Sequence, residues 1–527
     1  MLNMHPQLRK TLQPLFAAPC IIIFFGIALR LRQYLAWRSL WLDEAMLALN
    51  IVQRNFGGLL QTLDYNQGGP VGFLLLEKLS ITLLGNNELT LRLIPLLTGC
   101  AALLLFALLL RQGLGKIGVY TALTMFAVSA PLIYYASEVK QYTSDVFIAL
   151  LLLWLALKSI HHEGEEKATK EKSSSFVIRL PPLGGRFLRG ENVFLALVGA
   201  LAVWCSHPAL FVLCAIGATF LLQAIREKDR QRLKTTLLML ALWATSFAAL
   251  YLVSLRGLVA NTYLLDYWAE YFMPLPPWKD WGWFPSTLRA IIEFPLGLSV
   301  WWPFPAALML LGLIALLWRK RGFGLLLALT LLAALGVSGL GKYPFIGRLI
   351  LFTAPLFLTL IAAGVETVSG WFTRPRWLGT VVGLGLAVTL LYSPMVSAAQ
   401  NFVSPKYPEH IRPTMAYLRE NRKPGDVIYV YYWAVPAFRY YAPFYGFTES
   451  NIIAGNDYES NPPGLLSKVD RLKGQKRVWF VFSHVYEKGS YNEKDALLAH
   501  LNEIGVKKRT FIVPGTSVGL YLYDFGK

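Results

Sequence analysis

Residues 39–50 read SLWLDEAMLALN. Two adjacent carboxylates, Asp43 and Glu44, follow shortly after the apolar run LFAAPCIIIFFGIAL at 15–29. An ionisable pair at the mouth of a membrane span costs free energy, so its presence there asks for a task. Beyond the pair, Met46, Leu47, Leu49, Val52, Phe56, Leu59, Leu60 and Leu63 recur at a spacing that suits a helix lying in the interface. NQGGP at 66–70 breaks that segment. VGFLLLEKLSITLLG at 71–85, with Glu77 and Lys78 in its middle, reads as a second interfacial stretch.

The rest of the chain explains why a membrane is the right frame. Of 527 residues, 55% are hydrophobic and only 15% charged, against about 25% charged in ordinary soluble domains. Runs such as LIPLLTGCAALLLFALLL (93–110) and VVGLGLAVTLLYSPMV (381–396) are of the length that crosses roughly 30 Å of hydrocarbon. The formal net charge of +19 is not a nucleic-acid footprint, because the basic clusters REKDRQRLK (226–234), WRKRG (318–322) and TRPRW (373–377) fall between apolar runs. That is the positive-inside pattern of cytoplasmic loops. Cys20, Cys100, Cys205 and Cys214 lie in or beside apolar runs and form no CxxC pair, so neither a disulfide framework nor a zinc site is implied.

Arg9 and Lys10 precede a retained first span at roughly 15–33, which puts the N-terminus in the cytoplasm and the DE pair on the outer side. Alternation from there gives about eleven spans, and every basic loop then falls inside. HHEGEEKATKEKSSS lies in a flexible inner loop at roughly 158–190, and an aromatic outer loop follows at roughly 255–295. The expected fold is a polytopic α-helical membrane protein. A transmembrane domain, 1–399, carries an outer-face loop at 34–92; a small extracytoplasmic α/β domain occupies 400–527. There RPTMAYLRENRK and EKDALLAHLNEIG read as helices, and VIYVYYW, RVWFVFS and TFIVPG…SVGLYLYDF as strands.

On this topology Asp43, Glu44, Glu138, Lys140, Asp145, His207, Tyr343 and Arg348 all map to the outer ends of spans or the loops beside them. Each charge would cost roughly 2.5–3.5 kcal/mol at the bilayer centre and less toward the interface, so their gathering at one face points to a water-accessible cavity. Ordinary readings exist for each. Asp43 and Glu44 can cap the following helix, Glu138 and Lys140 can form an interfacial ion pair, and His207 can be a turn residue. Asp145 can bond a neighbouring helix, and Arg348 can anchor by snorkelling.

WLDEA, together with PLIYYASEVKQY and YPFIGRLILFTAPLFLTLIAAG, resembles the polyprenyl-phosphate-sugar-dependent glycosyltransferases of the C-type fold. These include the protein mannosyltransferases and the lipid A aminoarabinose transferases. The resemblance covers most of residues 15–397, with Lys140 standing where Arg is commoner. It implies a donor sugar on a polyprenyl phosphate, Asp43 as the catalytic aspartate of the first outer loop and the general base, and Glu44 orienting the loop or binding the acceptor. Tyr142 and Tyr343 would line the sugar pocket. Some branches use a divalent metal and others none; this sequence has no dedicated ligand cluster.

The chemistry agrees with these residue types. A lipid phosphate leaves without a general acid but needs cations, for which Arg348 and Lys140 are suited. The acceptor hydroxyl needs one base. A single displacement predicts inversion, unlike the paired carboxylates of a retaining glycosidase. The acceptor could be a lipid, a glycan or a protein, and the expected place is the outer face of the inner (plasma) membrane. A transporter or flippase of lipid-linked saccharides is the rival reading; it predicts internal repeats and ionisable groups near midplane, neither of which the sequence carries.

Overall fold

The computed structural model describes residues 6–172, 190–407, 409–455, 462–489 and 491–526. Each expected span forms helix: Pro6–Tyr34, Leu93–Gly113, Lys116–Val128 continued by Ala130–Tyr135, Tyr142–Lys172, Gly190–Cys205, Ala209–Arg226, Arg230–Leu250, Pro303–Arg319, Arg321–Gly339, Ala354–Trp371 and Arg376–Val403. Among the described residues, 7 helical segments are by length and composition able to cross a membrane, while Lys116–Val128, Gly190–Cys205 and Pro303–Arg319 are shorter apolar helices. The helix begun at Tyr142 runs on to Lys172, past the expected end of its span. The remainder of the expected inner loop, 173–189, lies outside the described residues.

Ala354–Trp371 is largely apolar and buried along most of its length, as a helix at the centre of a bundle must be. It packs on Pro303–Arg319 through Gly312 and Gly364, where a Cβ on either would meet the Leu360 or Leu308 carbonyl of the other helix. Small residues allow this backbone approach, which substitutes dispersion contacts for the missing hydrophobic drive in lipid.

The segment after the first span forms two short helices, Leu42–Gln53 and Val71–Leu84. Val71 and Leu75 touch the core of the bundle, but most of the apolar residues of the two helices pack elsewhere. Leu47, Ile51 and Phe73 share one buried cluster with Met415, Phe438, Tyr441 and Val481 of the C-terminal region. The outer loop at 34–92 thus contributes to the same buried cluster as the C-terminal region, which supplies most of it.

That region is built on a five-stranded sheet of β1 (Val427–Val430), β2 (Ile452–Ala454), β3 (Val478–Phe482), β6 (Val506–Ile512) and β7 (Gly519–Asp524); β4 (Glu487–Lys488) and β5 (Tyr491–Asn492) form a separate hairpin. The order is β2-β1-β3-β7-β6. β1 lies parallel to β2 and β3, with Ile428 opposite Trp479 and Val430 opposite Val481. β7 runs antiparallel to both β3 and β6. The central strand VWFVF is buried on both faces, the signature of a sheet covered on each side. Arg412–Asn421, Val435–Tyr445 and Glu493–Ile504 are the principal covering helices, and Val435–Tyr445 packs against Leu42–Gln53.

Candidate active site

Asp43 is the second residue of the Leu42–Gln53 helix, whose N-cap, Trp41, makes no side-chain capping bond. The first-turn amide of Leu42 is satisfied instead by Glu409 Oε2 from the C-terminal region, at 3.1 Å. Asp43 is thus not the helix cap, and its carboxylate turns to other partners. Arg348 Nη2 lies 2.7 Å from Oδ2 and Lys140 Nζ 3.2 Å from Oδ1. Gln67 Nε2 donates to Oδ1 at 3.1 Å while its Oε1 accepts from Lys140 at 2.6 Å, so the amide bridges acid and base.

Local conformation aims each of these groups. Gln67 follows Tyr65 and Asn66, both left-handed at φ 61° and 51°; non-glycine residues hold that conformation only where the surroundings enforce it. Part of the enforcement comes from the aromatic outer loop, where Asn261 Nδ2 donates to Asn66 Oδ1 at 3.0 Å. Lys140 sits in the tight turn between the Ala130–Tyr135 and Tyr142–Lys172 helices. Arg348 opens the 3-10 segment Gly347–Thr353 ahead of the central helix. Tyr343 braces that segment by donating its hydroxyl to Leu349 O at 2.7 Å, with its ring edge-on to Phe211. The Arg348 guanidinium lies 5.5 Å from the Trp41 ring centre and 5.8 Å from that of Tyr142, a pair of cation–π contacts that hold its plane.

Burial opposes ionisation of Asp43. The Lys140 and Arg348 charges and the Gln67 amide outweigh it and hold the carboxyl well below the usual carboxylate range. Burial likewise draws the Lys140 ammonium below its ordinary value, with Asp43 pulling the other way.

Glu44 faces the opposite direction and is fully buried. Its carboxylate takes Arg92 Nε at 2.8 Å and Nη2 at 2.7 Å, Arg38 Nη1 at 3.1 Å and the Val139 amide at 2.8 Å. Burial opposes its charge too, and the two arginines more than compensate, holding its pKa below the usual value. The opening pair therefore splits, with Asp43 partly open to solvent and Glu44 sealed from it. Glu138 accepts from Trp41 Nε1 at 3.0 Å, and its buried Oε2 has no partner. Burial, with Glu44 adding to it, pushes the Glu138 carboxyl up to about 7 against the pull of Arg38 and Arg348.

Of the residues singled out from sequence, Asp43, Lys140 and Arg348 meet directly. Tyr142 contributes a ring under Arg348, and Glu138 reaches the group through Trp41. Tyr343 acts through the backbone that carries Arg348. Asp145 is buried in the first turn of its span with Oδ1 unpartnered. His207 sits in the turn before Ala209–Arg226, where burial pushes its pKa down to about 4. Neither appears in the contacts around Asp43.

Gln67, Trp41, Arg38 and Arg92 were not anticipated. For the two arginines a signal existed: both stand at outer ends of apolar segments, where the positive-inside rule disfavours them. No group of three or more His, Cys, Asp and Glu placed to hold a metal occurs among the described residues. The Asp43 site does not fit a divalent cation, because Lys140 and Arg348 already fill its negative field and would repel a second positive charge.

No family model matches the sequence, and no curated protein matches it. Solved structures do. ArnT from Cupriavidus metallidurans in the apo state aligns with TM-score 0.54 at 13% identity, over 96% of this chain and 98% of that one. The same enzyme bound to undecaprenyl phosphate gives 0.54 at 12% identity, over 98% of each chain. The Archaeoglobus fulgidus oligosaccharyltransferase gives 0.53 at 14% identity, over 88% of this chain and 68% of that one. This chain has the C-type glycosyltransferase fold. Within that fold the Asp43 cluster belongs to a multi-pass membrane protein, in the first loop after the first span.

Proposed function

We propose that the chain is an integral membrane glycosyltransferase that transfers a sugar from a polyprenyl phosphate to an acceptor hydroxyl on a lipid, glycan or protein, at the outer face of the plasma membrane. The observation that carries this reading is the arrangement at Asp43, where one partly exposed carboxylate is held between two cations and an amide. ArnT, similar in fold over almost the whole chain, is known bound to undecaprenyl phosphate, which supports a lipid-phosphate donor here.

The geometry suggests an exchange of partners. In the resting site Lys140 and Arg348 neutralise Asp43, and a carboxylate so strongly stabilised is a poor base. A donor phosphate entering the cleft draws both cations to itself, which relieves Asp43 and raises its proton affinity when an acceptor hydroxyl is present. The acceptor oxygen then attacks the anomeric carbon while Asp43 takes its proton. The bond from that carbon to the phosphate oxygen breaks, and its electron pair leaves with the lipid phosphate, stabilised by the same two cations. One displacement inverts the anomeric centre. Glu44 has no exposed face and serves as a positioning residue that locks the loop.

Incubation of the purified chain with undecaprenyl-phosphate-linked sugars and an envelope extract tests the proposal. Acceptor-dependent release of the free lipid phosphate, with an inverted anomeric centre by NMR, is expected. Movement of the intact lipid-linked sugar across vesicles without cleavage of the sugar–phosphate bond would establish the transporter reading instead. Orientation is checked by cysteines at exposed Ser450 and Lys228, the first labelled from outside and the second only after permeabilisation.

A further inference from the structure

A second group of polar and aromatic side chains, contributed by the C-terminal region, meets the Asp43 cluster at Trp41. His484 follows β3 and is a non-glycine residue in the left-handed region, at φ 51°. Its amide donates to Ser517 Oγ at 3.3 Å, which ties the strained turn down. Its Nδ1 lies 2.5 Å from Glu409 Oε1. The other oxygen of that carboxylate accepts from Ser483 Oγ at 3.2 Å and from the Leu42 amide at 3.1 Å. One carboxylate thus orients the imidazole and caps the helix that bears Asp43, fixing the two relative to each other.

The imidazole is 40% exposed and stands between two indoles. Its centre is 6.0 Å from that of Trp41, tilted by 39°, and 6.1 Å from that of Trp433, nearly edge-on at 76°. Trp41 is the same ring that carries the Arg348 guanidinium at 5.5 Å. Backbone strain held in place by packing and hydrogen bonds, at the edge of a cleft, is a recurrent mark of a functional position.

We propose that Trp41, His484 and Trp433 form the acceptor subsite, and that its ligand is a neutral carbohydrate. This rests on the transferase reading, because the sugar held here is the one whose hydroxyl Asp43 would deprotonate. With a carboxylate as partner at Nδ1, the other ring nitrogen, Nε2, is left to hydrogen-bond a ligand hydroxyl. Indole faces carry negative quadrupole density and pack against the weakly positive C–H faces of pyranose rings. Apolar walls with one directed polar group are the general design of a small-ligand site. An anionic acceptor fits less well, since Glu409 places negative charge behind the imidazole and Arg348, which shares the Trp41 ring, is committed to Asp43 or the donor phosphate.

The test uses the full-length chain in nanodiscs and saturation-transfer NMR with chitotetraose, mannotetraose and cellotetraose as probes. At least one tetrasaccharide is expected to bind. Its affinity should fall about fivefold or more in His484→Asn and in Trp433→Ala, the weight of a residue that matters at an interface. Asn tolerates left-handed backbone, so His484→Asn leaves the turn intact, and an unchanged thermal midpoint verifies the fold. Titration with undecaprenyl phosphate should match wild type in both variants. Absence of binding by all three sugars, or binding that neither substitution weakens, overturns the subsite. Failure of the transferase reading looks different: the tetrasaccharide still binds wild type and Asp43→Asn alike, while no sugar leaves the lipid phosphate.

Discussion

Asp43 and Glu44 are neighbours in sequence, and each carboxylate is paired with two cations, yet they inhabit different physical regimes. The Glu44 cluster is sealed, with Glu44, Arg38 and Arg92 at 0–1% exposure. The Asp43 cluster is open at one side, with Asp43 at 16% and Arg348 at 25%. In the sealed cluster Glu44 takes both arginines and a backbone amide away from solvent, so the charges cannot be redirected without leaving one of them bare in low dielectric. In the open cluster an incoming anion can compete for the same cations. Permanent pairing is structure; exchangeable pairing is what chemistry requires.

The comparison is tested most severely at the sealed side. Glu44→Gln removes the carboxylate that two buried arginines share and is expected to destabilise the protein by about 3–5 kcal/mol. The loss should appear as a lowered thermal midpoint and poor recovery from the membrane. A variant as stable as wild type would show that the cluster is not sealed. Asp43→Asn should leave stability and donor-lipid binding in place while lowering turnover by at least ~10²-fold, the usual lower bound for a positioned base. Turnover near wild type would leave Asp43 a counter-ion of Arg348 and no more.

Arg348→Lys sharpens the description of the open side. It keeps the charge but loses the planar fork and the stacking on Trp41 and Tyr142, and donor affinity is expected to fall about tenfold, equivalent to ~1.4 kcal/mol. Unchanged donor affinity would assign the phosphate to Lys140 alone. The smallest effect concerns pH. The Glu138 carboxyl is raised from an ordinary value of 4.5 to about 7, so it is neutral below that pH in the folded protein. Stability from this group is complete below about pH 4.5 and declines as pH rises through 7. Ionised Glu138 also competes with the donor phosphate for Arg348, so donor affinity should fall a few-fold over the same interval. Glu138→Gln should flatten both profiles; an unchanged slope would mean that another group titrates.

Much of the bundle was legible because apolar length and basic loops are one-dimensional properties. A run that fills the hydrocarbon thickness has one backbone solution, since every amide must be satisfied within the segment. The same holds for the strands of the C-terminal region, where VWFVF and GLYLYD announce themselves by composition. What escaped was the helix Val435–Tyr445 and the short strand β2, whose sequences carry neither a clean period nor clear boundaries.

Within the site, Asp43, Lys140 and Arg348 were visible because charges are costly at a membrane face and stand out against an apolar background. Their mutual contact was not visible. Lys140 lies 97 residues and Arg348 305 residues along the chain from Asp43 (140 − 43 and 348 − 43), and only the packing of three separate span ends brings them within 2.7–3.2 Å. By itself the sequence determined a polytopic membrane chain with acids and bases collected at one face, because hydropathy and charge act residue by residue. Tertiary structure decided which half of the DE pair faces the cleft. Asp43 and Glu44 have the same charge and adjacent places in one helical turn. Their roles diverge because helix geometry rotates successive side chains by about 100°, turning one toward Lys140 and Arg348 and the other toward Arg38 and Arg92.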